Sequence, residues 1–364
     1  MTFETRLHVI DQPSVDHPAI AEAAALLQAG SVVAFPTETV YGLGADCTSA
    51  AAVARIYVAK NRPNDNPVIV HVAERDQLSN FCIDTDERVS ILAKAFWPGP
   101  LTLILKAKPH LRDTVCRGLD TVGIRVPAHP TAFALLKKSG LGLAAPSANI
   151  SGKPSPTKAK HVWNDLNGRI PMILDGGPCR VGIESTVLDL SQPQAAVLRP
   201  GWITGAQLDE VLGSPVTREA DLKQAHRSPG TRYRHYSPDA ALFVLAPDVG
   251  DAAFNTLQHL ILKQKGTKLG YIGTRRHLVT DAPSTHFYGD DGVDSLIHDL
   301  YMNLRQMDEE GVSHILIDGC GEVGHGRSLM DRLRRAATVV LVSDQDVTAF
   351  CLKLSTEWAI DSNT

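Results

Sequence analysis

Short apolar runs alternate with amphipathic segments along the first two hundred residues. The runs are five or six residues long and each is followed by a turn or a polar segment, which is typical of buried strands. The segments between them place apolar side chains three or four positions apart, as helices do. A capping box formed by Asp84 and Glu87 is expected to open one of these helices. The pattern predicts strands at 31–35, 67–72, 101–105 and 122–126, and helices at 19–29, 49–60 and 131–140.

The strands are too numerous for a simple ladder of strand–helix–strand units, so some of them must pair antiparallel. We expect an α/β fold with a mixed, twisted, open sheet and helices on its faces. Residues 214–240 contain few large aliphatic side chains and several basic ones, which indicates a linker. The alternation then resumes. The expected domains are therefore 1–213, the linker or lid 214–240, and a smaller Rossmann-like α/β unit at 241–364.

Composition narrows the class of protein. The chain has 364 residues, of which 43% are hydrophobic and 21% charged, and this is a globular composition. The formal net charge of −4 disfavours a constitutive nucleic-acid coat but allows a local basic cleft. Six cysteines include no C-x-x-C pair, and neither a signal peptide nor an apolar run of roughly 18 residues is present. We expect no zinc site, no membrane segment and a cytoplasmic location.

The segment PTETVYGLG, residues 36–44, directly follows a predicted buried strand. Hydroxyl groups at Thr37 and Thr39 and the glycines at 42 and 44 suit a polar ligand at the carboxyl end of a strand. The glycine spacing fits neither the dinucleotide fingerprint nor the Walker loop. An ordinary strand-to-helix turn is the alternative, and spacing alone supports both interpretations equally.

Cationic residues mark two further places. Lys60 and Arg62, on the proline-stiffened segment KNRPNDNP at 60–67, suit a polyphosphate, although a solvated helix end also explains them. Arg125 lies within the apolar strand VGIRV and requires either a bound anion or an internal salt bridge. His71, inside PVIVHV, is on its own more typical of a core histidine than of a ligand-binding one.

Two loops complete the candidates. Ser147, Asn149 and Thr157 lie in APSANISGKPSPT, residues 145–157, and could contact phosphate or carboxylate oxygens, but a polar surface loop explains them equally well. The linker segment SPGTRYRHYSP, residues 228–238, is basic and aromatic. It could close over an anionic site as a lid, and the alternative is a solvated basic tether.

Taken in order, these segments resemble the YrdC-type family. The resemblance rests on PTETVYGLG, K-x-R-P at 60–63, VGIRVP, PSAN at 146–149, the strand at 185–187 and LRPG at 198–201. The linker followed by a small α/β unit resembles the long, two-domain form. The resemblance implies an L-threonylcarbamoyladenylate synthase, which uses L-threonine, bicarbonate or CO2, and ATP with Mg²⁺. A separate transferase complex then modifies tRNA with the product.

The resemblance also implies roles for individual residues. Lys60 and Arg62 would be catalytic. The threonine-binding residues would be Thr39, His71, Arg125, Ser147 and Ser185. The ATP-binding residues would be Arg62, Asn66, Thr121, Asn149, Thr157, Arg199, Arg234, His235 and Tyr236.

A different class of function remains as the alternative. The α/β domain could be an RNA-binding module that uses a concave basic face, and direct contact with tRNA is compatible with either interpretation. RNA-binding modules usually combine stacking aromatics with a strongly basic surface, whereas aromatics make up 5% of this acidic chain. The carbamoyl-transfer module of hydrogenase maturation is a third possibility, but those proteins carry zinc-finger cysteines, which this chain lacks.

Overall fold

The computed structural model describes residues 3–63, 66–83, 86–218, 235–278, 284–287 and 292–361. The chain divides into two compact units. The first comprises Met1–Ser151 and Ser155–Tyr233, and the second comprises Gly152–Pro154 and Arg234–Thr364.

The first unit is built on a mixed sheet. Its strands lie in the order β1-β8-β2-β3-β7-β4-β6-β5-β9-β10, with β4–β6 and β5–β9 parallel and β2–β3 and β5–β6 antiparallel. The expected mixed α/β sheet is therefore confirmed. The strands are β1 Arg6–Val9, β2 Val33–Phe35, β3 Gly42–Asp46, β4 Val70–His71, β5 Leu101–Lys106, β6 Thr121–Arg125, β7 Leu143–Ala144, β8 Met172–Asp175, β9 Thr186–Asp189 and β10 Ala196–Arg199.

Alternate residues of the strands belong to two separate apolar clusters, one on each face of the sheet. Helices cover both faces and bury these clusters. Val32 and Ala34 belong to one cluster, while Val33 and Phe35 belong to the other. The helices are α1 Pro18–Gln28, α2 Ala50–Lys60, α3 Glu87–Phe96, α4 Pro130–Ser139, α5 Ala159–Leu166 and α6 Gly205–Leu212, with short 3₁₀ helices at Arg75–Asn80 and Pro109–Leu111.

Local capping signals predicted one helix start correctly and another incorrectly. Ser49 caps α2, with its hydroxyl oxygen accepting from the backbone N–H of Ala52. Asp84 lies outside the described residues, and the expected capping box of Asp84 with Glu87 is wrong because α3 begins at Glu87 itself and is capped by Asp86. Its side chain accepts from the backbone N–H of Arg88 at 2.9 Å, which satisfies a donor of the first turn.

Strand β3 was not predicted from the pattern. It forms an antiparallel hairpin with β2, pairing Val33 with Gly44 and Phe35 with Gly42. A Cβ atom on Gly44 would lie 2.8 Å from the ring of Phe35, so this position accepts only glycine without a rearrangement. The loop at 36–41 therefore connects two strands, and the alternative of a strand-to-helix turn is wrong.

The second unit contains a smaller, fully parallel sheet in the order β13-β12-β14-β11-β15. Its core includes Phe243, Leu257, Tyr271 and Leu316. The expected small α/β unit is thus confirmed. Its strands are β11 Ala241–Leu245, β12 Leu269–Gly273, β13 Ser284–Phe287, β14 His314–Asp318 and β15 Val339–Leu341, and its helices are α7 Asp251–Lys263, α8 Gly292–Glu309, α9 His325–Ala336 and α10 Asp344–Asp361.

Candidate active site

The loop between β2 and β3, residues 36–41, is fixed by its own hydroxyl groups. The Thr37 hydroxyl donates to the carbonyl oxygen of Val40 at 2.6 Å and accepts from the backbone N–H groups of Thr39 and Val40. The hydroxyl oxygens of Thr37 and Thr39 lie 2.8 Å apart, and both side chains are buried. The loop therefore presents the Thr39 hydroxyl at a defined position after β2.

Arg125, the last residue of β6, is buried beside this loop. Its Nε donates to the carbonyl oxygen of Gly99 at 3.1 Å, and its Nη1 donates to the Thr39 hydroxyl at 2.9 Å. Its Nη2 lies 2.7 Å from Oε2 of Glu38, which is ion-pair distance, but the two groups are not aligned for a hydrogen bond. Of the two alternatives for Arg125, the structure shows an internal ion pair, and that pair is not hydrogen-bonded.

His71 lies directly beside Arg125, because the two are register partners in the parallel pair β4–β6. Register partners point to the same face of a sheet. Its Nδ1 atom is buried and has no hydrogen-bond partner among the described residues. Burial, and then the charge of Arg125, lowers the pKa of His71 from 6.5 to about 3. The ring is therefore uncharged at neutral pH.

This buried imidazole makes the stability of the protein depend on pH. Between pH 6.5 and 3 the unfolded chain protonates His71 while the folded chain does not, so the free energy of unfolding falls as the pH falls. The contribution of one such group approaches about 1.4 kcal/mol per pH unit. We expect His71→Gln to reduce the loss of stability between pH 6 and 4 in urea denaturation, and exposed His110→Gln to leave it unchanged. Equal slopes for wild type and His71→Gln would contradict this assignment.

Lys60 is the last residue of α2, and its ammonium group is buried. Nζ donates to the carbonyl oxygens of Ser147 at 2.5 Å and Asn149 at 2.6 Å. The Ser147 hydroxyl donates to Oδ1 of Asn149 at 2.6 Å. The structure therefore brings Lys60, Ser147 and Asn149, predicted from two distant motifs, into one cluster. A buried charge is costly, and it is retained most often where the charge has a function.

Two of the predicted ATP-binding residues have polar groups without partners. The Asn66 amide and the Thr121 hydroxyl are buried and have no hydrogen-bond partner within the described ranges. Arg62 makes a long contact through Nη2 to the carbonyl oxygen of Pro67 at 3.4 Å, and its guanidinium lies 6.0 Å from the ring centroid of Tyr57. Because buried polar groups are normally paired, Asn66 and Thr121 point to a bound water or ligand.

Arg199 and Ser185 form a second cluster. Arg199, at the end of β10, donates through Nε and Nη2 to the carbonyl oxygen of Ser185 at 3.1 and 3.0 Å. The Ser185 hydroxyl accepts from Nη2 at 3.2 Å and lies 2.8 Å from the hydroxyl oxygen of Thr102. Arg199 and Ser185, both predicted site residues, are thus in direct contact.

Backbone hydrogen bonds join these clusters to the 36–41 loop. The N–H of Tyr41 donates to the carbonyl oxygen of Pro156, and its carbonyl oxygen accepts from the N–H of Ala148, both at 2.8 Å. The loop that carries Ser147 and Asn149 therefore lies against the loop that carries Thr39.

A second connection runs from Arg125 to Ser185. Arg125 donates to the carbonyl oxygen of Gly99, and the next carbonyl, that of Pro100, accepts from the N–H of Thr186 at 3.0 Å. Thr186 directly follows Ser185. The segments that carry the predicted threonine-binding residues Arg125 and Ser185 are therefore both hydrogen-bonded to the Gly99–Pro100 segment.

The remaining predicted residues are less closely tied to these clusters. Thr157 is buried at the end of the loop that begins with PSAN. Arg234 lies outside the described residues. His235 and Tyr236 belong to the second unit, where the Tyr236 ring centroid lies 5.4 Å from that of Tyr301. Their assignment to ATP stays a prediction.

Two residues of these clusters were not predicted from sequence. Glu38 is the one charged residue of PTETVYGLG, and a charge inside a motif between buried strands is a signal that could have identified it. Thr102 interrupts the apolar run LTLIL, but a single hydroxyl in a buried strand carries too little information to indicate a site.

Comparison with known proteins identifies the family. A family profile described as "Telomere recombination", that of Sua5, YciO and YrdC, matches residues 25–201, and one described as "Threonylcarbamoyl-AMP synthase, C-terminal domain" matches residues 203–338. The chain belongs to the Sua5/YrdC family. It has the two-domain organisation of the long Sua5 form, because both profiles match consecutive parts of it.

Relatives of the long Sua5 form match over nearly their whole length. Threonylcarbamoyl-AMP synthase of Bacillus subtilis is 45% identical, over 90% of this chain and 96% of the relative, and that of Pyrococcus abyssi is 43% identical, over 86% and 93%. The crystal structure of P. abyssi Sua5 complexed with L-threonine superposes with a TM-score of 0.84 at 40% identity, covering 93% of this chain and 99% of that one.

The described residues lack a membrane-spanning helix and a cluster of metal-ligating side chains. They contain no helix that is both long and apolar enough to cross a membrane. The same part of the chain has no group of three or more His, Cys, Asp or Glu side chains placed to bind a metal ion.

Proposed function

We propose that this chain is a nucleotidyltransferase that makes threonylcarbamoyl-AMP and pyrophosphate from L-threonine, bicarbonate or CO2, and ATP. The names of its relatives support this activity, and so does the threonine in the P. abyssi Sua5 structure. One structural observation carries the proposal: buried cations and hydroxyl groups from distant motifs meet around the 36–41 loop.

The chemistry requires such a group of cations. The threonine amine is carboxylated to a carbamate, a carbamate oxygen then attacks the α-phosphorus of ATP, and pyrophosphate leaves. Both reacting partners are anionic, so positive charge must be fixed in place between them before they meet. We assign this task to Lys60, whose ammonium is fixed by two carbonyl oxygens, together with Arg62.

The threonine would lie beside the 36–41 loop. We assign its carboxylate to Arg125, the buried cation that donates to the Thr39 hydroxyl, and its hydroxyl to the neighbouring polar residues. His71 contributes no charge, because its pKa lies far below neutrality. The full threonine-binding set that we propose is Thr39, His71, Arg125, Ser147 and Ser185.

The nucleotide would contact the orphaned polar groups and the remaining cations. Mg²⁺ would arrive as part of the Mg·ATP substrate and compensate phosphate charge. The set that we propose for the nucleotide within the first unit is Arg62, Asn66, Thr121, Asn149, Thr157 and Arg199, and the assignment of Arg234, His235 and Tyr236 stays a prediction from sequence. The lid expected at 228–238, which would protect the mixed-anhydride product from water, lies mostly outside the described residues and stays a prediction.

The product would pass to a separate transferase complex that modifies tRNA. An RNA-binding module is not favoured as the alternative function, because the relatives named as synthases match both units of the chain. A concave basic face is also not needed to explain the buried arginines, which have internal contacts.

An omission experiment tests the proposal. Purified protein is incubated with ATP, Mg²⁺, bicarbonate and L-threonine, and pyrophosphate release is measured with one component left out at a time. We expect release only in the complete mixture, with threonylcarbamoyl-AMP detected by mass spectrometry in equal amount. Release that continues without threonine, or tight tRNA binding without any release, would overturn the assignment.

A further inference from the structure

Glu38 is a buried carboxylate that the proposed roles leave unused. Its side chain is 2% exposed, and neither Oε1 nor Oε2 has a hydrogen-bond partner in the part of the chain that the structure describes. Its Oε2 lies 2.7 Å from Nη2 of Arg125. Burial, and then the charge of Glu38, raises the pKa of the Cys179 thiol, whereas burial lowers the pKa of His129 although the charge of Glu38 opposes that shift. A carboxylate with two unused acceptor oxygens is costly to bury unless something donates to it.

A purely structural role for Glu38 predicts different geometry. Arginine and carboxylate groups readily form aligned, two-bond pairs when their only task is mutual compensation. Here Arg125 directs Nε and Nη1 to Gly99 and Thr39, and its contact with Glu38 is close but not hydrogen-bonded. The acceptor capacity of Glu38 therefore remains available to a third group.

We propose that Glu38 binds the α-ammonium group of the amino-acid substrate and thereby selects for an amino acid. The inference rests on the proposed function. A free amino acid is a zwitterion, so a buried site that recognises it needs an anion beside a cation. Arg125 and Glu38 provide that pair at adjacent positions. The ammonium group supplies three N–H donors, and neither oxygen of Glu38 accepts a hydrogen bond from the described residues.

The test compares two ligands that differ in a single group. L-Threonine and the analogue with a hydroxyl in place of its amine, 2,3-dihydroxybutanoate of matching stereochemistry, are titrated into the full-length protein by calorimetry. We expect wild type to prefer threonine by about 100-fold or more, because the analogue leaves a buried charge unpaired. In Glu38→Gln the preference should fall below about tenfold, mainly through weaker threonine binding.

Two further variants serve as a control and as a replacement for Glu38→Gln. Asp189→Asn removes another buried carboxylate from β9 and should retain the wild-type preference. If Glu38→Gln does not fold, Glu38→Asp preserves the charge beside Arg125 but withdraws it by one methylene. It should weaken threonine binding about tenfold and leave the analogue unaffected.

The outcomes separate this inference from the proposed function. A preference in Glu38→Gln equal to that of wild type, or equal losses for both ligands in Glu38→Asp, would show that Glu38 is only the counter-ion of Arg125. Wild-type protein that releases no pyrophosphate in a threonine-dependent way would instead refute the proposed function, whatever the Glu38 variants do.

Discussion

Replacing Lys60 with methionine should lower threonine-dependent pyrophosphate release by about 1,000-fold. A preorganised cation acting on developing charge contributes on the order of 10²–10³ to turnover, and here the same cation would also bring two anions together. The ammonium is almost fully buried and is oriented by the carbonyl oxygens of Ser147 and Asn149, so neither water nor a neighbouring side chain can replace it. The measurement is kcat at saturating ATP, threonine and bicarbonate.

The same substitution has a structural cost that must be measured separately. Methionine leaves the two carbonyl oxygens without their donor, at about 1–3 kcal/mol each. Thermal unfolding of Lys60→Met should therefore be earlier than that of wild type, while Lys94→Met, on the exposed side of α3, should match wild type in both stability and turnover. A Lys60→Met protein with kcat within threefold of wild type would contradict a catalytic role for Lys60.

The general architecture was predictable because it depends on local patterns. Runs such as 101–105 and 122–126 are short, mostly apolar and buried, and the excess of such runs required antiparallel pairs. The second unit was predictable for the same reason. The feature of the fold that the pattern did not predict, strand β3, depends on contacts between residues far apart in the sequence. Strand β3 contains Gly42 and Gly44, which are poor strand formers, and Gly44 is required there because Phe35 packs across the hairpin.

The site was predictable to the extent that its motifs are recognisable in order. Lys60 and Ser147 meet as the motifs predict, although nothing in the spacing between residues 60 and 147 places them together. The partner of Arg125 was not predictable, because Glu38 and Arg125 are brought together only by the strand order β2-β3-β7-β4-β6. The sequence left a bound anion and a salt bridge as equal alternatives for that reason.

Replacing Arg125 with methionine should raise the KM for threonine by about 10- to 100-fold while changing the KM for ATP little. The guanidinium is the cation that we assign to the threonine carboxylate, and charge-assisted contacts of this kind contribute about 1.5–3 kcal/mol in a buried site. The substitution also leaves Glu38 buried without a counter-charge, so the free energy of unfolding should fall by about 3–5 kcal/mol. Arg55→Met, on the exposed face of α2, is the matched control.

A second substitution separates the loss of stability from the loss of binding. In Arg125→Met combined with Glu38→Gln both buried charges are gone, and removing both members of a buried pair is far less destabilising than removing one. We expect urea denaturation of the double variant to recover most of the lost free energy of unfolding. The KM for threonine should stay as high as in the single variant, because no cation remains for the carboxylate. Return of this KM to the wild-type value together with stability would mean that Arg125 only maintains the fold, and that another residue binds the threonine carboxylate.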